Sequence, residues 1–409
     1  MTRERDVDEL IHTFMQEGPA ELSSRLLGGI RDEVHGTKQR TLRRPWRTLS
    51  MPRPILIFAA LGALLVAVAA MSILGFGARS QSTALPVSPS PSISAAPSSS
   101  AAAYPLADGD PWIAVEAERG VTLIKPDGTG SHTILADLPV QPITPQWSPD
   151  GRQLVFDGNG DRGSHLWVAN ADGTGARALI ETPAGCPNGT CTEGVQPAWS
   201  PDGTSIAYVA PTHEQGDFTK TSLMVLDIAS GTSTELYTTT DTSLGRPSWS
   251  PDGARIVLEV LHYAGKPETS KVLASAIAIV AVTGADHTPR ELTLPLAGYP
   301  YWHPTSDVIV FRTNRVDPDS GALLDAEAAS DLYTIRADGS GLTKVTDNGV
   351  GGAVVRGPSW TPDGRILFGK LATLDASEFL RIVNADGSGE GSATGSVQTT
   401  GEGKWRPGT

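Results

Sequence analysis

The sequence predicts an all-β fold, a six-bladed β-propeller, on three observations. A six-residue phrase recurs as Gln146-Trp147-Ser148-Pro149-Asp150-Gly151, Ala198-Trp199-Ser200-Pro201-Asp202-Gly203, Ser248-Trp249-Ser250-Pro251-Asp252-Gly253 and Ser359-Trp360-Thr361-Pro362-Asp363-Gly364, with a degraded copy, Tyr301-Trp302-His303-Pro304. Its tryptophans lie 52, 50, 53 and 58 residues apart. A unit of that length cannot bury a core alone and signals a stacked array. Between the phrases, short apolar runs alternate with glycine turns, the pattern of strands joined by hairpins.

The elements of a unit follow in a fixed order. The tryptophan strand comes first and ends in a Pro-Asp-Gly turn, where glycine supplies the positive φ of a tight reversal. A second strand follows: Leu154-Val155-Phe156, Ile206-Ala207-Tyr208-Val209, Ile256-Val257-Leu258, Ile309-Val310-Phe311 and Ile366-Leu367-Phe368. The third runs are Leu166-Trp167-Val168, Leu223-Met224-Val225-Leu226, Ile277-Ala278-Ile279-Val280, Leu332-Tyr333-Thr334-Ile335 and Leu380-Arg381-Ile382-Val383. A second glycine turn, such as Asp172-Gly173-Thr174-Gly175, leads to a short fourth strand such as Arg177-Ala178-Leu179-Ile180. Four strands make one propeller blade. Before the first phrase, Trp112-Ile113-Ala114-Val115 and the runs after it supply strands two to four of a blade without its tryptophan strand. Lys404-Trp405-Arg406-Pro407-Gly408 supplies that strand from the other end and closes the ring at six blades. The tryptophans at 147, 199, 249, 302, 360 and 405 are therefore expected to be core, packed between neighbouring sheets.

The phrases Trp-Ser-Pro-Asp-Gly and Asn170-Ala171-Asp172-Gly173, repeated as Asn384-Ala385-Asp386-Gly387, resemble the repeats of TolB-like and WD-repeat-like propellers over about residues 110–409. The resemblance implies the fold and says little of activity, because a propeller is a scaffold for many functions.

Four segments are expected: a cytoplasmic helical segment at 1–53, a transmembrane helix at 54–77, a Ser/Pro/Ala-rich linker at 78–108 and the propeller at 109–409. Residues 55–76 carry no charge and have the length that spans a bilayer. Arg40, Arg43, Arg44, Arg47 and Arg53 precede this run and Arg79 alone follows closely. The bias places the N-terminus in the cytoplasm and the propeller outside. A cleaved signal peptide is the alternative, against which the long preceding segment argues. The linker composition cannot bury a core. Val7, Leu10, Ile11 and Phe14, then Leu22, Leu26, Leu27, Ile30 and Val34, imply two short amphipathic helices around Gly18-Pro19. So short a segment needs a partner, a second copy or the membrane surface. The layout resembles single-pass anti-sigma-type regulators, although the Cys/His zinc motif of many such modules is absent.

The ectodomain is acidic: residues after 53 carry 22 basic and 37 acidic side chains, within a chain of net charge −13. That balance argues against nucleic acid and anionic headgroups as partners. Cys186 and Cys191 flank a Pro-Asn-Gly-Thr turn outside the membrane, which favours a small disulfide over a metal pair. Asn188-Gly189-Thr190 also fits a glycosylation sequon.

Length variation gathers on one face, at 182–196, 211–222, 262–275, 312–331 and 371–378, and insertions on one face of a repeat scaffold commonly mark a binding face. The candidate contacts there are His213, Asp217, Phe218, His262, Tyr263, Arg312, Arg315, Asp317 and Asp319. No H-E-x-x-H or G-x-S-x-G motif occurs, His303 reads as a drifted repeat position, and the ring closes without room for a hydrolase domain. The run Asp157 to Gly163 alternates oxygen ligands like the start of a calcium loop, but its glycine is misplaced and a hairpin turn belongs there. No cofactor or metal is expected. The resulting expectation is a membrane-anchored, non-catalytic propeller that binds a protein, peptide or glycan through its variable-loop face. The alternatives are an anti-sigma-like regulator with the propeller as sensor, and a propeller enzyme acting on envelope glycans.

Overall fold

The computed structural model describes residues 106–408, apart from 108, 161–162, 181–189, 215, 266, 268–271, 293–295, 315–329, 349–352, 372–377, 396 and 400–401. The described strands form six antiparallel sheets. Blade 1 is ordered β26 (Gly403–Trp405), β1 (Ile113–Glu116), β2 (Val121–Ile124), β3 (His132–Ile134). Blade 2 holds β4 (Gln141–Trp147), β5 (Gln153–Gly160), β6 (Gly163–Asn170) and β7 (Arg177–Ala178). Blade 3 holds β9 (Val195–Trp199), β10 (Ser205–Glu214), β11 (Asp217–Asp227) and β12 (Thr232–Thr239), with β8 (Thr190–Thr192) added to β10. Blade 4 holds β13 (Thr242–Trp249), β14 (Arg255–Tyr263), β15 (Val272–Ala281) and β16 (Arg290–Leu292). Blade 5 holds β17 (Ala297–Trp302), β18 (Val308–Asn314), β19 (Ser330–Arg336) and β20 (Thr343–Lys344). Blade 6 holds β21 (Val354–Trp360), β22 (Ile366–Leu371), β23 (Glu378–Val383) and β24 (Gly391–Ser392), with β25 (Gln398–Thr399) also on β23. The six-bladed all-β architecture is the predicted one, closed by Ile113 opposite Trp405 and Val115 opposite Gly403.

Local chemistry explains the repeated phrase. Ser148, Ser200 and Ser250 donate to Asp150, Asp202 and Asp252 at 2.5–2.6 Å. Each serine oxygen also accepts the N–H that opens the next strand, at 2.9 Å, from Gln153, Ser205 and Arg255. The aspartate then accepts the N–H two residues on, so the turn is knotted by side chains rather than by distant packing. In the degraded copy, His303 Nδ1 accepts the Thr305 N–H at 3.1 Å, and the ring packs on Trp360 at 4.6 Å.

Each hydrophobic cluster joins two adjacent blades, and a phrase tryptophan lies in every one. Trp302, 2% exposed, packs among Val257, Ile277 and Ile279 of blade 4 as well as Ile309 of its own blade. Trp147, Trp249 and Trp360 donate their indole N–H to carbonyls of the preceding blade, at Lys404, Ala198 and Tyr301 (2.9–3.2 Å).

Two expected loops are instead hairpin arms. β10 and β11 pair as far as Glu214–Asp217, and β14 and β15 as far as Tyr263–Val272, so the extra residues extend ladders. Arg312, expected at the start of a loop, lies inside β18 opposite Gly298 and is 3% exposed. Residues 1–105 lie outside the described residues, and with them the expected helices, spanning segment and linker. Among the described residues no helix is long and apolar enough to cross a membrane.

Candidate functional site

Two residues before the tryptophan, five innermost strands carry proline: Pro145, Pro197, Pro247, Pro300 and Pro358, with Gly403 in the sixth. The residue before that proline differs in every blade: Thr144, Gln196, Arg246, Tyr299, Gly357 and Glu402. The first five adopt positive φ between 48° and 55°. L-residues avoid this region, and residues before proline favour extended backbone. In blades 2, 4, 5 and 6 the ladder shifts register at this point, which marks a bulge. The bulge aims the side chain at the propeller axis, and all six residues line one axial cavity. Non-glycine backbone held in this region is costly and clusters at functional sites, which makes this ring the candidate site.

A second ring comes from the second strands. Three residues beyond the partner of each tryptophan stand Glu116, Asp157, Val209, Glu259, Arg312 and Gly369. Three of these carboxylates accept the N–H of the bulged residue in the next blade: Glu116 from Thr144, Asp157 from Gln196 and Glu259 from Tyr299. The Thr144 hydroxyl also donates to Asp157. Gln196 continues the relay by accepting the Arg246 N–H at 2.8 Å.

The rings meet in a charged cluster. Arg246 pairs with Glu402 at 2.5 Å and lies 3.8 Å from Glu259. Arg246 and Arg312 both stack on the Tyr299 ring, at 3.4 and 3.9 Å. Gly357 makes room for Glu402, since a Cβ there would stand 2.2 Å from Glu402 Cγ. Each innermost strand runs from the blade-to-blade connection to the Ser-Pro-Asp-Gly turn, so this cluster lies toward the variable-loop face. Toward the other face, Lys404 sits 4.7 Å over the Tyr301 ring, and the Tyr301 hydroxyl reaches Gln146 at 3.5 Å.

Burial dominates the protonation of the cluster. It pushes the Asp157 carboxyl up to about 7, against the bonds from Thr144 and Gln196. It also raises Glu116 and Glu259. Burial opposes charge at Arg246 and Glu402 too, but there their mutual attraction prevails, raising the arginine and lowering the carboxylate. Asp157 has a direct stability consequence. A carboxyl raised on folding favours the folded state below its unfolded pKa, and that advantage is lost as pH rises toward 7. At about 1.4 kcal/mol per pKa unit the loss is on the order of 4 kcal/mol. Asp157→Asn, which keeps an acceptor for Thr144 and Gln196, is therefore expected to flatten the fall in stability between pH 4 and 7. Urea midpoints across that range check this, and an unchanged slope would contradict it.

Of the candidate contacts read from the sequence that lie among the described residues, Arg312 joins this cluster. His213 and Phe218 pack edge to face at 6.0 Å near the tip of the β10–β11 arm, beside Asp217. His262 contacts Glu291 at 2.9 Å near the end of β14, where Tyr263 pairs with Val272. Arg315, Asp317, Asp319 and Cys186 lie outside the described residues. Cys191 sits on β8 opposite His213. Asp157 lies in β5 opposite Leu166, and Gly160 opposite Gly163 closes the β5–β6 hairpin expected there in place of a calcium loop.

No known protein-family profile matches the chain. TolB from Acinetobacter baumannii superposes with a TM-score of 0.52 at 13% identity, over 73% of this chain and 67% of that one. The fold is a TolB-like β-propeller. The uncharacterized peptidase YuxL of Bacillus subtilis (strain 168) is 29% identical over 195 residues, 46% of this chain. The match spans only 23% of that peptidase. A puromycin-hydrolyzing peptidase of Mycobacterium tuberculosis is also similar, with a TM-score of 0.47 and 16% identity over 71% of this chain and 46% of that one. The relationship to a peptidase overturns the expectation of a non-catalytic binding propeller, and with it the expectation that the chain is not an enzyme. That expectation rested on missing linear motifs and on the ring closing without a hydrolase domain, whereas the groups with shifted protonation converge from separate blades and have no linear motif.

Proposed function

We propose that this chain is a peptidase-type propeller enzyme, held at the membrane by residues 55–76 with its propeller outside. The observation that carries the activity class is the 195-residue relationship to the Bacillus peptidase. The axial cluster supports it. A buried carboxyl titrating at about 7 has the protonation balance of a general acid or base at neutral pH. Arg246 and Glu402, which line the axial cavity, offer complementary charges to a peptide arriving from the variable-loop face. The uncharged run at 55–76 and the arginines before it support the anchored orientation. In this arrangement the two N-terminal amphipathic stretches are presented to a cytoplasmic protein.

With Asp157 as base, peptide turnover rises through about pH 7. Asp157→Asn is expected to lower kcat/KM by about 10²–10⁴-fold and to remove that limb of the pH–rate profile. A variant with unaltered kcat/KM and the same profile would exclude Asp157 from the reaction.

A further inference from the structure

Asp157 cannot meet a substrate directly. It is 2% exposed and does not line the axial cavity, whose empty space, part of it open to solvent, is about 400 Å³. Thr144 does line that cavity, and its hydroxyl donates to Asp157 Oδ1. The hydroxyl therefore connects the buried carboxylate with the open space. The backbone that presents it is unusual as well. Its φ is 48°, and among the described residues Thr144 is the one β-branched side chain held at positive φ. A β-branched residue there is a clear outlier, because its Cβ substituents crowd the main chain. Gln196 completes the arrangement from the next blade. Its backbone N–H bonds the same carboxylate, and its side chain lines the same cavity. Its Oε1 accepts the Arg246 N–H at 2.8 Å, which leaves the two Nε2 donors for a bound group.

We propose that Thr144 is the nucleophile of this site, that Asp157 takes its proton, and that Gln196 Nε2 holds the oxyanion. The inference rests on the peptidase reading and names the step that reading leaves open. Oγ1 attacks the scissile carbonyl carbon, forming a C–O bond as its proton passes to the Asp157 carboxylate. The carbonyl π electrons move to oxygen, where the Gln196 amide donors meet the charge. Collapse breaks the C–N bond, the amine leaves with the proton from Asp157, and an ester remains on Thr144. Water then adds to the ester with Asp157 again as base, and the C–Oγ1 bond breaks as Thr144 regains its proton. A hydroxyl is a weak nucleophile until a base adjoins it, and an ordinary aspartate is too acidic to serve well. Burial, reinforced by the facing Glu116 and opposed by the bonds from Thr144 and Gln196, brings Asp157 to about 7 and makes it a better base.

The test is reaction of the full chain with an alkyl fluorophosphonate, followed by mass spectrometry of the digested protein. Oγ1 displaces fluoride from phosphorus, so the label marks the nucleophile whether or not a peptide is cleaved. The expected result is a label on Thr144 that forms faster as pH rises through about 7, persists on the serine of Thr144→Ser and is lost in Thr144→Val. Thr144→Val is also expected to lower peptide kcat/KM by on the order of 10⁴-fold or more, with no further loss on adding Asp157→Asn, because the two groups act as a unit. Gln196→Glu keeps the acceptor for Arg246 and removes both amide donors, and is expected to lower kcat by about 10²–10³-fold. Peptide cleavage by the wild type with no label on Thr144, or a Thr144→Val kcat/KM equal to wild type, would overturn the proposal and leave the peptidase reading standing. A label on Thr144 without cleavage of any peptide would keep the nucleophile and overturn the peptide as its substrate. The label on the wild-type chain decides the matter even if Thr144→Val does not fold.

Discussion

Removal of residues 403–409 is expected to abolish the cooperative unfolding transition of the propeller. The closing strand is short, but much depends on it. β1 loses the partner of Ile113, Ala114 and Val115 and becomes an open edge. Trp147 loses the Lys404 carbonyl that accepts its indole N–H at 2.9 Å. Arg406, 3% exposed, donates to Gly151 and Ala107 carbonyls at 2.8 and 2.9 Å, and its backbone N–H bonds Trp112 at 2.7 Å. Trp405 also leaves the cluster it shares with Leu367 and Leu380 of blade 6. A lost tryptophan costs about 3–5 kcal/mol, and each bond to a buried charged group about 1.5–3 kcal/mol. Their sum is comparable with the whole stability of a typical domain, about 5–15 kcal/mol. Urea unfolding followed by tryptophan fluorescence reads the outcome. A truncated chain with the wild-type midpoint would show that the ring holds without its closing strand.

Arg246→Ala is expected to lower stability by about 3 kcal/mol, the lower end of the range for breaking an enclosed ion pair. The lower end applies because Arg246 and Glu402 keep 24% and 21% of their side-chain surface accessible. The substitution leaves Glu402 with Lys404 at 3.7 Å and Glu259 with Arg312 as its remaining cation. It also removes the guanidinium that stacks on Tyr299. At about 2 °C per kcal/mol for a chain of this size, the melting midpoint falls by about 6 °C. Adding Glu402→Gln, which removes the stranded charge, is expected to recover part of that loss. If the double variant is no more stable than the single one, the cost lies in packing rather than in the uncompensated carboxylate.

The blades were legible because their signals are local. The serine–aspartate knot needs only the six residues of its phrase, so the sequence alone marks where each tryptophan strand ends. The closing strand was legible for the same reason, since Lys404-Trp405 repeats the spacing from a distant part of the chain. The axial ring was not read, although its signal was present: a proline two places before the tryptophan in five strands, each preceded by a different residue. Positive φ before proline runs against backbone propensity, and here it accompanies the bulge in the innermost strand. Arg312 reads as loop because a long insertion follows it, while β18 carries it three residues past Ile309 to stack on the Tyr299 ring. The pKa of Asp157 was out of reach, because it depends on burial by neighbours from other blades.

The central claim is that this propeller belongs to an enzyme that cleaves peptides. The most direct measurement is turnover of a panel of quenched-fluorescence peptides by the purified full chain at pH 7, with Asp157→Asn as the paired control. The account predicts cleavage of at least one peptide class by the wild-type chain, reduced by two orders of magnitude or more in the variant, taking the usual scale of about 10²–10⁴ for general acid–base groups. No cleavage across the panel by well-folded wild-type protein would contradict it.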